Sequence, residues 1–330
     1  MKPLLGIIGA GSVSRFHIEA AKEAGFEVNS ISASKNSISA KKLSKEYLIK
    51  NYFEETKVLL SSKSFDCLTV LTPPNVTINL LPELQQLQLP ILVEKPVSLD
   101  SNSLSNFIDS RHIFVNFNRR YYETVSRFNA LCQISNGIYS FSVIESIPNR
   151  TNLIDEIGFS ILNNSIHMLD LLYFLCGDIN LESTQYSEIN QILNFKIFRK
   201  LKYIGTFTIS FNALRNTAIE FEREQLNVKL SPLELLTKRN KMTVKPPDQE
   251  YAYNRYEFSY EETSESSSFK ESGKLKPGFL GIYNDFLNFY KTRNISEKLP
   301  TLYDAQRSLY LAENIVEKYR SYLKKISIEL

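Results

Sequence analysis

Between the apolar run Leu4 to Ile8 and the helical stripe Val13, Phe16, Ala20 and Ala24 stands the segment Gly9-Ala10-Gly11-Ser12-Val13-Ser14. Residues of these types at this spacing suit one task. Gly9 permits a tight turn, Gly11 lets a phosphate approach the backbone, and the helix start offers free N–H groups and a favourable dipole. Gly9, Ala10, Gly11, Ser12 and Val13 are therefore read as the cradle of a dinucleotide pyrophosphate. The third glycine position holds Ser14, so the strand–turn–helix context carries the reading rather than the bare motif. The acidic residue that would take a ribose 2′-hydroxyl after the second strand is missing; the chain reads Ser32-Ala33-Ser34-Lys35-Asn36. A carboxylate there would repel a 2′-phosphate, whereas Ser34 and Lys35 could hold one, so the expected cofactor is NAD(P), leaning to NADP. A solvated loop lysine accounts for Lys35 nearly as well.

These residues need a scaffold that ends strands and starts helices at one edge. Leu4 to Ile8, Phe26 to Ser32, Phe65 to Leu71, Ile91 to Val93 and Ile113 to Phe117 read as strands. Helical stripes separate most of them, with Leu104, Phe107 and Ile108 on the last and Pro82 starting or kinking the one before. Strand–helix alternation predicts βαβ units: a Rossmann doubly wound parallel sheet over 1–118. Past residue 120 the pattern changes. A helix near Thr124 to Gln133, a strand near Tyr139 to Val143, a helix from Ile161 to Leu175 and strand-like runs between Gln185 and Val244 predict an α+β domain over 119–330. Its sheet should be large, open and mostly antiparallel. Tyr260 to Lys276 is polar and expected to be a mobile loop, before two closing helices near Phe279 to Tyr290 and Tyr303 to Tyr322.

Composition narrows the function classes. Across 330 residues, Lys plus Arg is 39 and Asp plus Glu is 36, a spread excess of +3 that makes no case for nucleic acid. Three cysteines and three histidines, with no CxxC pair, argue against a disulfide framework and a metal centre. Leu4 to Ala10 passes straight into the glycine turn and reads as a strand rather than an export signal. The apolar stretch Ile161 to Cys176 carries Asn163, Asn164, His167 and Asp170, which excludes it as a membrane span. The expected compartment is the cytoplasm.

Three further features join the glycine turn in a fixed order. His17 follows it, Glu94-Lys95-Pro96 closes the strand at Ile91 to Val93, and Asn163-x-x-x-His167-x-x-Asp170 lies on a helix stopped by Gly177. Two charges ending a buried strand are unusual and point to a function there. In this order and spacing the chain resembles the Gfo/Idh/MocA oxidoreductases, the glucose–fructose oxidoreductase and inositol dehydrogenase family. Val115-Asn116-Phe117-Asn118-Arg119-Arg120-Tyr121 is similar to that family's crossover between domains, and Leu299-Pro300-Thr301 to its usual finish. The resemblance implies hydride transfer between NAD(P) and a secondary alcohol or ketone of a sugar, cyclitol or sugar nucleotide. It implies a homodimer or homotetramer through the C-terminal sheet.

Carried over by position, Lys95 touches the reacting hydroxyl and the nicotinamide ribose, and His167 is the acid/base group. Thr72, Pro73 and Asn75 line the cofactor with Glu94 and Lys95, while Arg120, Asn163 and His167 face the substrate. The roles are chemically sound: a histidine titrates near working pH and an ammonium stabilises a developing alkoxide. Asn163 and His167, four apart, share a helix face. Arg119 and Arg120 suit a substrate phosphate and a domain interface equally, and His17 is read as structural or cofactor-adjacent. Two departures stand out. Asn163 replaces the family's usual Asp and can neither accept a proton nor raise a neighbour's basicity, and Ile78 replaces a frequent histidine. They motivate a competing reading: a catalytically weakened member that binds dinucleotide or sugar as a sensor or subunit.

Overall fold

The computed structural model of the chain describes residues 1–132, 140–146, 154–187, 192–211, 216–265 and 275–329. It divides into two units, Met1–Tyr121 with Ser272–Asn314, and Tyr122–Glu271 with Ile315–Leu330. In the first unit β1 (Leu4–Ile8), β2 (Glu27–Ser32), β3 (Asn51–Phe53), β4 (Cys67–Val70), β5 (Ile91–Val93) and β6 (Ile113–Val115) pair in parallel. Their order, β3-β2-β1-β4-β5-β6, is that of a Rossmann sheet. Leu5, Ile7 and Ile8 on β1 are all buried, as a parallel sheet covered on both faces requires. The connecting helices are α1 (Ser14–Ala24), α2 (Ile38–Glu46), α3 (Thr56–Ser62) and α4 (Pro74–Gln86). The short β3 and α3 went unread in the sequence, and Pro82 lies inside α4, which continues through Gln86.

The helix expected around Leu104, Phe107 and Ile108 does not form; a single 3-10 turn, Asn102–Leu104, takes its place. The polar residues before it explain this. Ser98 accepts from the Asp100 amide, Asp100 Oδ1 accepts from the Asn102 amide, and Ser101 donates its backbone N–H to Glu313. Side chains that satisfy nearby amides compete with a helical ladder.

The second unit opens with α5 (Glu123–Cys132) and is built on an eight-stranded sheet. It comprises β7 (Ser140–Ser146), β8 (Ile179–Ser187), β9 (Ile192–Arg199), β10 (Lys202–Ser210), β11 (Ala218–Arg223), β12 (Leu226–Leu230), β13 (Leu235–Asn240) and β16 (Glu261–Glu265). Only the β7–β10 pair is parallel; the other neighbours run antiparallel. Leu193, Phe195 and Ile197 alternate with more exposed residues, the signature of a sheet with one buried face. A separate hairpin joins β14 (Met242–Lys245) and β15 (Arg255–Phe258). β16 falls within the segment expected to be a loop; residues 266–274 of that segment lie outside the described residues. Between β7 and β8 run α6 (Ile154–Ser160), a π turn (Ile161–Ser165) and α7 (Ile166–Cys176), where one helix from Ile161 was expected.

The chain closes with α8 (Phe279–Thr292) and α9 (Leu302–Glu329). The sequence placed everything after 118 in one domain, yet Ser272–Asn314 belongs to the first unit. Aromatic packing is the cause. Phe279, Ile282, Tyr283, Phe286 and Phe289 form one buried stripe of α8. Phe286 stacks on Phe26 at 5.7 Å between centroids, and Phe289 meets Phe114 edge-on at 4.7 Å. Pro300 extends the sheet edge by accepting the Val115 amide at 2.8 Å. Among the described residues no helix is long and apolar enough to cross a membrane.

Phe286→Ala should lower unfolding stability by about 3–5 kcal/mol in urea denaturation, the range for emptying a buried phenylalanine site. Tyr310→Ala, at a 57% exposed position, serves as the control and should change it by under about 0.5 kcal/mol. Equal losses from the two would mean that α8 does not anchor this core.

Candidate functional site

Gly9 sits at φ +107°, and a Cβ there would come within 2.6 Å of the Leu71 carbonyl oxygen. Only glycine fits that turn, which is pinned by the Gly9 amide bonding Ser32 O at 2.8 Å. At Gly11 the opposite holds: a Cβ would meet nothing within 4 Å. The protein thus leaves open space at the residue where a phosphate would approach. Ser14, in the third glycine position, is buried and turns its hydroxyl back to Gly9 O at 3.4 Å. No side chain caps α1, so the amides around Ser12 and Val13 point from an uncapped helix start. These features fit a pyrophosphate. Beyond β2, Ser34 and Lys35 are both exposed, while Ser37 caps α2 by accepting the Ala40 amide. Thr72, Pro73 and Asn75 form the entrance to α4, where Thr72 Oγ1 lies 2.8 Å from Thr77 Oγ1 and Pro74 is the first helical residue.

Glu94 and Lys95 follow β5 at the same edge of the sheet. His17 of α1 donates Nε2–H to Glu94 Oε1 at 2.8 Å, and Asn116 donates to the same oxygen at 2.6 Å. The Lys95 amide donates to Oε2 at 2.9 Å. Behind this, His17 Nδ1 meets the Tyr283 hydroxyl at 2.9 Å, which lies 3.0 Å from Thr69 Oγ1. Phe279 packs edge-on against the imidazole at 4.8 Å. Burial alone would push the Glu94 carboxyl up, but the bonds from His17 and Asn116 and the charge of Lys95 outweigh it and hold the group below the usual carboxylate range. Burial pushes Lys95 below the ordinary lysine value; Glu94 opposes this, and Arg119 and Lys276 add to it. Burial likewise raises the Tyr283 hydroxyl, so it stays a neutral phenol. Tyr283 carried no local sequence signal, standing 266 residues from His17. Its place in the helical stripe of α8 marked it only as core.

The remaining site residues separate by unit. Asn163 stands in the π turn and His167 in the first turn of α7, both half-buried, with Asp170 buried below them. Their face-sharing, expected from four-residue spacing on one helix, spans the boundary between two helical forms with different residues per turn. Arg120 is a buried side chain ion-paired with Asp304 Oδ1 at 3.0 Å. Asp304 also accepts the Thr301 amide at 2.8 Å in the first turn of α9 and pairs with Arg307 at 2.7 Å, so Arg120 locks the helix start to the crossover. The three cysteines are free and buried, and burial raises their thiols. Among the described residues no cluster of His, Cys, Asp or Glu could hold a metal ion.

Residues 4–110 match a family model described as an oxidoreductase family with an NAD-binding Rossmann fold. No curated protein matches the chain in sequence. Among solved structures, a dehydrogenase from Clostridium difficile superposes with a TM-score of 0.75 at 16% identity, over 96% of this chain and 100% of that one. Levoglucosan dehydrogenase, solved with NADH and levoglucosan, gives 0.72 at 13% identity, over 96% of this chain and 97% of that one. UDP-N-acetylglucosamine 3-dehydrogenase from Acidithiobacillus ferrooxidans gives 0.70 at 16%, over 95% and 96%. At these identities the likeness establishes a shared two-domain fold.

Since its carboxyl is lower in the fold than in the unfolded chain, Glu94 stabilises fully above the unfolded value of about 4.3 and loses that contribution as pH falls through the folded one. Glu94→Gln should therefore cost roughly 3 kcal/mol at pH 7, as expected when one partner of a buried pair is removed. The gap to wild type should hold between pH 7 and 5 and narrow as pH falls below about 4.3. Thermal unfolding at pH 7, 5 and 3.5 checks this, and a gap independent of pH would contradict it.

Proposed function

We propose, from the match of residues 4–110 to the Gfo/Idh/MocA oxidoreductase family model, that the protein is an NAD(P)-dependent dehydrogenase of secondary alcohols on a sugar, cyclitol or sugar nucleotide. The observation that carries the reading is the His17–Glu94 bond at 2.8 Å. It ties Lys95 to the helix that begins at the open glycine turn, so cofactor seat and reacting lysine belong to one rigid element pair. The sugar dehydrogenases of the same fold support the substrate class.

Gly9, Ala10, Gly11, Ser12 and Val13 hold the pyrophosphate, with Thr72, Pro73, Asn75 and Glu94 along the cofactor. Ser34 and Lys35 receive the adenosine ribose, favouring a 2′-phosphate because no carboxylate opposes one. When bound, the nicotinamide supplies the hydride acceptor or donor. Lys95 stabilises charge developing on the substrate oxygen, helped by a site in which burial already presses on its ammonium. His167 takes the hydroxyl proton, and Asn163 orients the hydroxyl through a hydrogen bond. Arg120, ion-paired to Asp304, serves the substrate by fixing the crossover. Copies of the chain associate through the half-exposed face of the eight-stranded sheet.

Calorimetry with NAD+, NADH, NADP+ and NADPH, followed by a polyol panel with the pair that binds, tests the reading. One pair should bind; binding of none would overturn it, and binding without turnover of any panel member would favour a sensor or subunit. Gly11→Ala should leave stability within about 0.5 kcal/mol, since a Cβ meets no protein atom there, yet weaken cofactor binding about tenfold or more. A variant that binds as wild type does would remove Gly11 from the cradle. Lys95→Ala should keep its fold and lose roughly 10²–10⁴ in kcat at saturating cofactor; unchanged turnover would show the assigned mechanism to be wrong.

A further inference from the structure

In the second unit β14 and β15 form a two-stranded ribbon of their own beside the eight-stranded sheet. The pairing of β13 with β16 runs on into it through the Asn240 amide on Tyr260 O at 2.9 Å and the Ser259 amide on Lys241 O at 3.0 Å. Met242 pairs with Phe258 and Val244 with Tyr256, so by strand alternation these four side chains share one face. Thr243, Lys245, Arg255 and Glu257 occupy the other. That charged face is satisfied within the hairpin: Lys245 pairs with Glu257, Arg255 pairs with Asp248, and Thr243 Oγ1 donates to Glu257 O at 3.2 Å. The connecting turn is tied as well, since Asp248 Oδ1 accepts the Glu250 and Tyr251 amides, each at 2.9 Å. The apolar face is the bare one. Arg239 lies over the Phe258 ring at 4.8 Å. Even so, Met242, Val244, Tyr256 and Phe258, with Tyr253 before β15 and Tyr260 after it, are between 44% and 67% exposed.

A two-stranded hairpin is marginal in water on its own, and this one satisfies its charges while leaving its aromatic residues wet. Area and charge together say what covers them. At roughly 200 Å² per large side chain, six half-exposed ones leave about 600 Å² of apolar surface, the top of the range for a chain that stands alone. Two such faces pressed together bury about 1,200 Å², the area at which specific interfaces begin. The hairpin is also electrically balanced, with Lys241, Lys245 and Arg255 set against Asp248, Glu250 and Glu257. It therefore offers no net potential to draw an anionic lipid surface or a nucleic acid, and no repulsion to its own kind. We propose that the β14–β15 hairpin is a self-association arm, packing its apolar face against the same face of a second copy of this chain across a two-fold axis. The arm is independent of the dehydrogenase reading and adds a contact distinct from the broad face of the eight-stranded sheet.

Sedimentation velocity at about 1–50 µM, the range of a small interface, compares wild type with the double variant Val244→Lys/Tyr256→Lys. Both positions are exposed, so circular dichroism and thermal unfolding should match wild type. Wild type should sediment as more than one chain. The double variant should associate about a hundredfold more weakly, because assembly would bury two ammonium groups among apolar side chains. A fall from dimer to single chains supports the arm, and so does a fall from tetramer to dimer, with the sheet face then holding the remainder. A double variant that assembles as wild type does overturns the arm alone; wild type found as single chains throughout overturns the arm and the sheet association together. A second measurement does not rely on the lysines. The native cysteines are buried, so pyrene maleimide can be directed to Met242→Cys, and the assembled protein should then show excimer emission. An assembled, labelled protein without excimer overturns the face-to-face packing. Neither measurement involves the cofactor, so the nicotinamide titrations succeed or fail separately.

Discussion

A buried carboxylate must find hydrogen-bond donors, and the first unit is arranged around that demand. Removing an ion from water costs several kcal/mol, a sum recovered only when good geometry and further donors are in place. At Glu94 the donors come from α1 through His17, from the strand end after β6 through Asn116, and from the neighbouring Lys95 amide. Tyr283 of α8 and Thr69 of β4 complete the chain behind the imidazole. Elements far apart in sequence therefore share one hydrogen-bonded chain, and a shift in any of them disturbs the base of Lys95. The site and the core are held by the same contacts.

The neighbouring arginines show how charge is partitioned. Arg120 and Asp304 form a buried pair that also secures the start of α9 through Thr301. Arg119 adds to the positive potential that lowers Lys95. Adjacent residues of one short 3-10 turn, Asn118–Tyr121, thus divide into a fastener and a source of positive potential. The turn can do this because its residues project in successive directions about a tight axis.

Much of this architecture was legible in the sequence. Strand and helix periods differ, and buried parallel strands are short apolar runs, so the alternation through Ile113 to Val115 could be read directly. The glycine turn and Glu94-Lys95 were legible because each places an unusual residue at a strand end. What escaped was set by tertiary context. The stripe on α8 announces a buried face, but nothing local says that it covers β1 and β6 rather than the second sheet. β16 reads as loop because its stability comes from pairing across strands: Glu261 opposite Arg239 and Glu262 opposite Lys238. The π turn at Ile161–Ser165 carries no glycine or proline to mark it, so a 3.6-residue period ran through it unopposed. Arg119 and Arg120 could not be told apart, since their environments are made by Lys95, Lys276 and Asp304 from other parts of the chain.

The late return of the chain to its first unit has a consequence for biosynthesis. Residues 1–121 leave the ribosome with Phe26 and Phe114 lacking the aromatic stripe that begins at Phe279. At elongation rates of about 5–20 residues per second the intervening segment takes on the order of ten seconds to make. Throughout that interval the nascent domain carries an uncovered apolar face, a ready substrate for chaperones and a hazard where ribosomes crowd on one message. A chain truncated before Phe279 would keep all six parallel strands and still lack the layer that seals them.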